Sequence, residues 1–133
     1  VDVPAGVLGR LRGICLGLPE AYEEVAWVGV RWRVRTRTFA HVLTVEGGRP
    51  AAFARAAGTE GPCTILTFRS EGPELDVLRR SGPPFFGPPW GPEVVGMVLG
   101  PNIDWNEVAE LITESFCARA PMTLTRQVER PPG

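Results

Sequence analysis

Residues 27–45, WVGVRWRVRTRTFAHVLTV, restrict the fold of this chain more than any other stretch. Val28, Val30, Trp32 and Val34 alternate with Arg31, Arg33 and Arg35. The two-residue period of a β-strand therefore sends the apolar set to one face and the guanidinium groups to the other. A second apolar-rich run starts after Arg37. If the two close into a hairpin around Arg35, Thr36, Arg37 and Thr38, then Val34 meets Phe39, Trp32 meets His41 and Val30 meets Leu43. In that register His41 lies on the inward face, and a one-residue slip would carry Phe39 and Leu43 to the arginine side.

A hairpin with one apolar face needs a cover, and the flanking sequence supplies it. Val7, Leu8, Leu11, Ile14, Cys15 and Leu18 recur at helical spacing, which predicts an amphipathic helix over residues 5–17. Gly6, Gly9, Gly13 and Gly17 weaken it locally, so packing must hold it. Leu18-Pro19-Glu20 ends this helix, and residues 21–25 read as a connecting loop. Residues 46–50 form a turn, and residues 51–57 have the composition for one or two helical turns. TILTFR at 64–69 reads as a third strand. Pro73 opens a short helix with Leu75 and Leu78 inward, and Gly82 closes it. Residues 94–99 read as a fourth strand, in which Gly96 marks a close approach or a bulge. Asp104, Glu107 and the pair Ile103 and Val108 carry the pattern of a capping box with a hydrophobic staple. From there Trp105, Val108, Leu111, Ile112, Ser115 and Phe116 trace one helix face, and Pro121 stops it.

The implied fold class is α+β, a two-layer α/β sandwich. An antiparallel sheet of about four to five strands carries the N- and C-terminal helices on one face and leaves the other open to solvent. The expected domain spans residues 1–124, followed by a flexible tail at 125–133. A chain of 133 residues, 44% hydrophobic, is long enough to bury a core without staples. Cys15, Cys63 and Cys117 are odd in number and lack CxxC spacing, which indicates neither a disulfide framework nor a zinc site. No apolar run approaches the ~18 residues of a membrane span. The chain is expected to be a cytoplasmic monomer without a membrane segment.

The net charge of −1 conceals an asymmetry: residues 31–70 hold seven Arg against two Glu, and residues 71–118 two Arg against eight acids. A basic side and an acidic side follow. All fourteen basic residues are Arg, a bias most simply set by a GC-rich coding sequence. Arg31, Arg33, Arg35 and Arg37, with Arg49 and Arg69, are the candidate contacts for the phosphates of DNA. Side chains two apart on a strand stand about 7 Å from one another, and arginine forks suit phosphate oxygens. The plainer reading is a solvated face or a charge-protected sheet edge. Phe85, Phe86 and Trp90 sit in the stiff loop SGPPFFGPPWGP and, with Trp27, form an alternative candidate site for a small ligand or peptide; equally they can close one end of the core. Glu20, Glu23 and Glu24 can serve as a carboxylate cluster or as partners for nearby arginines. His41 has no nucleophile at a suggestive spacing. No catalytic residue, metal ligand or cofactor is indicated, so the chain is not expected to be an enzyme.

Leu18-Pro19-Glu20 leading through Glu23-Glu24 to Trp27, then Thr38-Phe39-Ala40, Pro84-Phe85-Phe86 with Trp90, Asp104-Trp105, Glu114-Ser115-Phe116 and Ala120-Pro121 together resemble the MmcQ/YjbR family over about residues 8–124. The resemblance implies a fold similar to CyaY, the bacterial frataxin. It also implies DNA binding through a double-wing surface, with residues 31–37 as one wing. Arg35-Thr36-Arg37 stands where Gly-Lys is common in the family, which keeps the positive charge, and Phe116 stands where Tyr is common. Iron handling of the frataxin kind does not carry over, because residues 5–17 contain no acid. The expected function is a small non-catalytic binding module, sequence-nonspecific on DNA. The alternatives are a small-molecule or peptide domain that uses a crevice between the hairpin and the aromatic loop, and an interaction module for an acidic protein partner.

Overall fold

The computed structural model describes residues 2–88 and 91–128. In chain order the elements are α1 (Ala5–Cys15), β1 (Tyr22–Val25), β2 (Val30–Val34), β3 (Arg37–Val45), α2 (Ala51–Ala57), β4 (Cys63–Arg69), α3 (Gly72–Arg80), β5 (Phe85–Phe86), β6 (Val94–Leu99), α4 (Trp105–Arg119) and α5 (Met122–Thr125). The strands form one six-stranded sheet in the order β1-β2-β3-β4-β6-β5, with every neighbouring pair antiparallel. This is the expected two-layer α/β sandwich, with two strands more than the four read individually from the sequence.

Both extra strands are short and sit at the margins. Tyr22–Val25 pairs with β2 instead of forming a loop, because Glu23 and Glu24 there find cationic partners. Phe85–Phe86 forms two ladder positions on β6 between flanking prolines and glycines, too brief for an alternation pattern to register.

On the inner face α1 and α4 bury Leu11, Cys15, Val108, Ile112 and Phe116 against Trp32, Val34, Val42, Leu66, Phe68 and Val95. Asp104 caps α4 through its carboxylate, which accepts from the backbone N–H of Asn106 (3.0 Å) and Glu107 (3.2 Å). Gly82, at φ 75°, follows α3 as expected. Past Pro121 the chain continues as α5 and a further turn, with Leu124 buried and Val128 packed on the core. Residues 129–133 of the expected tail lie outside the described residues.

The hairpin register differs from the expected one. Val34 pairs with Arg37 around a two-residue loop, Arg33 with Thr38, Trp32 with Ala40 and Arg31 with His41. Phe39 is the extra residue of a β-bulge opposite the step between Trp32 and Arg33. The bulge lets Phe39 turn inward, where its ring meets Phe116 edge to face at 5.3 Å. His41, Leu43 and Val45 thereby face outward, and the sequence reading that placed His41 and Leu43 inward is corrected.

One buried hydroxyl ties the bulge down. Ser115 on α4 donates to the Phe39 carbonyl at 2.6 Å and accepts from the Arg69 backbone N–H at 2.8 Å, so it bridges β3 and β4 one step beyond their last ladder pair, Ala40 and Phe68.

The outer face is only half open, which corrects the expectation of a fully solvated face. α2 packs Ala54, Phe53 and Ala57 over Leu43, Val45 and Ile65, with Val98 and Phe86 at the side. The other half, nearer the hairpin loop, carries Arg31, Arg33, Thr38, His41, Thr67 and Arg69 by strand alternation. Among the described residues no helix lies over it.

Candidate functional site

The open half of the outer face is a cleft of about 450 Å³. Its floor is His41 and Thr67, which are register partners on β3 and β4, and its cationic and hydroxyl groups are Arg31, Arg69 and Thr38. Trp27 and Phe53 form its apolar walls. The His41 ring stands edge to face against Phe53 at 6.0 Å. His41 Nε2 lies 2.6 Å from the carbonyl oxygen of Val28, and since a carbonyl only accepts, Nε2 carries the proton. Burial depresses the His41 pKa, the Val28 bond opposes that shift, and the Arg31 charge adds to the depression. The imidazole is therefore neutral near neutral pH, with Nδ1 left as an acceptor.

Three of the four hairpin arginines have carboxylate partners within the chain. Arg31 Nε donates to Glu24 at 2.7 Å, and its Nη2 contacts the same oxygen. Arg33 stands 3.5 Å from Glu24 and also donates to the Thr36 carbonyl. Arg35 pairs with Glu20 at 3.1 Å. The Arg31 hydrogen bond, with the charges of Arg31 and Arg33, holds the Glu24 carboxyl below the ordinary range. Glu23 is bound on the inner side instead, by Arg12 at 2.9 Å and by Trp32 Nε1 at 3.1 Å, and its pKa is lowered chiefly by the Arg12 bond. The Glu20, Glu23 and Glu24 cluster is thus a set of arginine partners. Tyr22 adds a hydroxyl bond of 2.5 Å to the Arg35 carbonyl, which fixes the hairpin loop.

Arg37 leads to a different group. It pairs with Val34 and so points to the helix side of the sheet, where it and Arg69 lie close enough to Arg119 for their charges to lower the Arg119 pKa. Burial is the largest cause of that shift, and Glu93 opposes it. One end of the sheet therefore gathers Arg37, Arg69 and Arg119. Arg119 has no sequence signature beyond its place in the last turn of α4, where a cation complements the helix dipole.

The remaining candidates are dispersed. Arg49 lies in the turn before α2 and lines a separate groove of about 860 Å³ with Trp27. Phe85 and Phe86 are half-buried at the β5 margin, four ladder steps or about 19 Å from β2. They line a crevice of about 670 Å³ with Met97, Val98 and Ile103, and the hairpin takes no part in it. Trp27, in the turn between β1 and β2, belongs to the opposite side of the sheet. Trp90 lies outside the described residues. Arg79 steadies the nearby loop by donating to the carbonyls of Gly91 (2.7 Å) and Val94 (2.8 Å).

Thr38, Thr67 and Phe53 were not singled out from the sequence. Thr38 and Thr67 offered only a shared outward parity, which the unforeseen bulge concealed, and Phe53, on α2, offered none. Cys15 is fully buried, and burial first, then the Glu23 charge, pushes its thiol far up, so it is an inert core residue. Among the described residues no group of three or more His, Cys, Asp or Glu is arranged to hold a metal ion, and no helix is long and apolar enough to cross a membrane.

The chain is thus a two-layer α/β sandwich with a cationic cleft on the uncovered half of its outer face, and the comparisons give its family. The YjbR family pattern matches residues 16–118, and the chain belongs to that family. Its fold is similar to the crystal structure of the Deinococcus radiodurans protein DR2400, a DUF419 domain. The TM-score is 0.62 at 15% identity, covering 93% of this chain and 88% of that one. No curated protein matches the sequence.

Proposed function

We propose that this chain is a non-catalytic module that binds the sugar-phosphate backbone of a nucleic acid at the end of the sheet where the uncovered half of its outer face meets Arg37 and Arg119. The observation that carries the reading is the division of that face. α2 seals its apolar half, and the half left open holds Arg31, Arg69, Thr38 and His41 beside the Arg37 and Arg119 cluster. The guanidinium groups and the Thr38 hydroxyl are donors suited to phosphate oxygens and carry no base code, and His41 becomes one when its Nδ1 takes up a proton. The hairpin stripe contributes less than its sequence suggested, because Glu24 and Glu20 already partner Arg31, Arg33 and Arg35 and offset two of their three charges. The contacts expected to matter most are Arg37, Arg69 and Arg119. We assign the module to the cytoplasm on the ground that Cys15, Cys63 and Cys117 are odd in number, widely spaced and lack CxxC pairing.

Fluorescence anisotropy of labelled DNA over a range of salt concentrations tests this. Three phosphate contacts give a log-log salt slope of about −2 to −3. Replacing Arg37, Arg69 and Arg119 by Ser should remove most binding, whereas replacing Arg31 and Arg33 should remove less. Absence of binding at low salt refutes the proposal.

A second reading has its own observation. The crevice of Phe85, Phe86, Met97 and Ile103 has the size and apolar lining of a small-molecule site, with Asp104 and Glu107 at its rim. Ligand capture there should be nearly indifferent to salt.

A further inference from the structure

Trp27 is fully exposed, at 100% of its possible surface, although the same chain buries Trp32 completely. Val25, 84% exposed, lines the Arg49 groove with it, so the apolar surface left in water here is more than one stray side chain. The Trp27 backbone is not loose. The Ala26 N–H donates to the Gly29 carbonyl at 3.1 Å, closing the turn. Gly29, at φ 72°, presses onto β3 so closely that a Cβ would lie 1.9 Å from the Val42 carbonyl oxygen. His41 holds the Val28 carbonyl from the other side. The turn is thus clamped to β3 at the two residues that follow Trp27 and closed on itself by the Ala26 bond, and the indole projects from a fixed base.

The indole also stands between two grooves. One contains Arg31 and Arg69, and the other contains Arg49 with the acids Asp2 and Glu46. A flat ring with a cationic groove on one side matches a nucleotide strand that lays one base on the ring and runs its phosphates past Arg31 and Arg69. A duplex cannot offer that base, since its bases are already stacked within the helix.

We infer that Trp27 is a stacking residue for an unpaired base, and that the nucleic acid taken by this face is single-stranded at that point. This rests on the phosphate-binding reading above and deepens it by naming the form of the ligand. Stacking also fits a chain of modest net charge, because ring contact supplies affinity that does not depend on counterion release.

The test measures anisotropy of a labelled oligothymidylate of about twelve nucleotides, within the site sizes of single-strand binders, beside a duplex of equal length. Wild type, Trp27→Ala, Trp27→Phe and Arg69→Ser are compared at one salt concentration. Wild type should prefer the single strand. Trp27→Ala should weaken single-strand binding about five- to 150-fold, the effect of losing one stacked base, and weaken duplex binding much less. Trp27→Phe should keep most of the affinity. Since the ring touches no core, thermal unfolding of Trp27→Ala should match wild type.

If Arg69→Ser loses affinity while Trp27→Ala does not, stacking is refuted and phosphate binding stands. If neither oligonucleotide binds wild type, both readings fall together. If Trp27→Ala instead changes the sedimentation of the protein with no effect on binding, the ring belongs to a contact between copies, and the inference is wrong.

Discussion

Replacement of Ser115 by Ala probes the joint on which both core and cleft depend. The hydroxyl makes two hydrogen bonds, to the Phe39 carbonyl at 2.6 Å and from the Arg69 N–H at 2.8 Å, and Ser115 is completely buried. Alanine fills nearly the same space but leaves a buried acceptor and a half-buried donor without partners. Each such group costs about 1–3 kcal/mol, and water reaching the Arg69 N–H keeps that term at the low end, so the sum is about 2–4 kcal/mol. For a chain of this length about 1 kcal/mol moves Tm by roughly 3–4 °C, which places the expected drop at about 7–14 °C. Urea denaturation followed by circular dichroism, with the thermal melt beside it, gives both numbers. Ser81→Ala is the control: its hydroxyl bonds the Val77 carbonyl 2.5 Å away on an exposed helix end, and its loss should stay within about 0.5 kcal/mol. A Ser115→Ala cost below about 0.5 kcal/mol would refute the claim that this hydroxyl secures the bulge.

Glu24→Gln should tighten DNA binding and steepen its salt dependence by up to about one unit for each arginine released, because both Arg31 and Arg33 lean on that carboxylate; anisotropy titrations that show unchanged or weaker binding would contradict the neutralisation argument. His41 gives a pH dependence whose sign follows from its burial. Its folded pKa lies below the ordinary value of about 6.5, so its contribution to stability is complete above that pH and is lost as pH falls through the folded value. A bound polyanion raises the same pKa, so binding takes up a proton and should strengthen from pH 8 towards about pH 6. A His41→Gln variant should lose that pH dependence, and a variant that keeps it would move its origin to another group.

The fold was legible where one element carried its own signals. α4 shows its cap at Asp104, its inward face from Val108 to Phe116 and its stop at Pro121, and these are properties of neighbouring residues. β4 and β6 were legible as compact apolar runs. β1 was not, because Tyr22-Glu23-Glu24-Val25 has no strand composition; it becomes a strand by pairing with β2, with Glu24 beside Arg31 across the ladder. That information is nonlocal.

The site was hidden by a single extra residue. Phe39, His41 and Leu43 share a parity, and an uninterrupted hairpin loop satisfies the inward reading for all three, so the alternation test accepts the wrong register. The structure meets the same apolar demand in two places: Phe39 goes to the α4 side through the bulge, and Leu43 and Val45 go beneath α2. His41 falls between these two solutions, past the bulge and short of the α2 cover. It faces outward with Thr67 and Arg69 on β4 and Arg31 on β2, so the cleft exists because the core is divided between two faces of the sheet. Bulges recur beside functional sites for this reason: the residue that restores packing on one face re-aims the side chains that follow on the other. A chain that lost Phe39 would still pair Trp32 with Ala40 and Arg31 with His41, so the cleft would keep its residues while the core lost the ring that meets Phe116: the bulge is what lets this hairpin serve both faces at once.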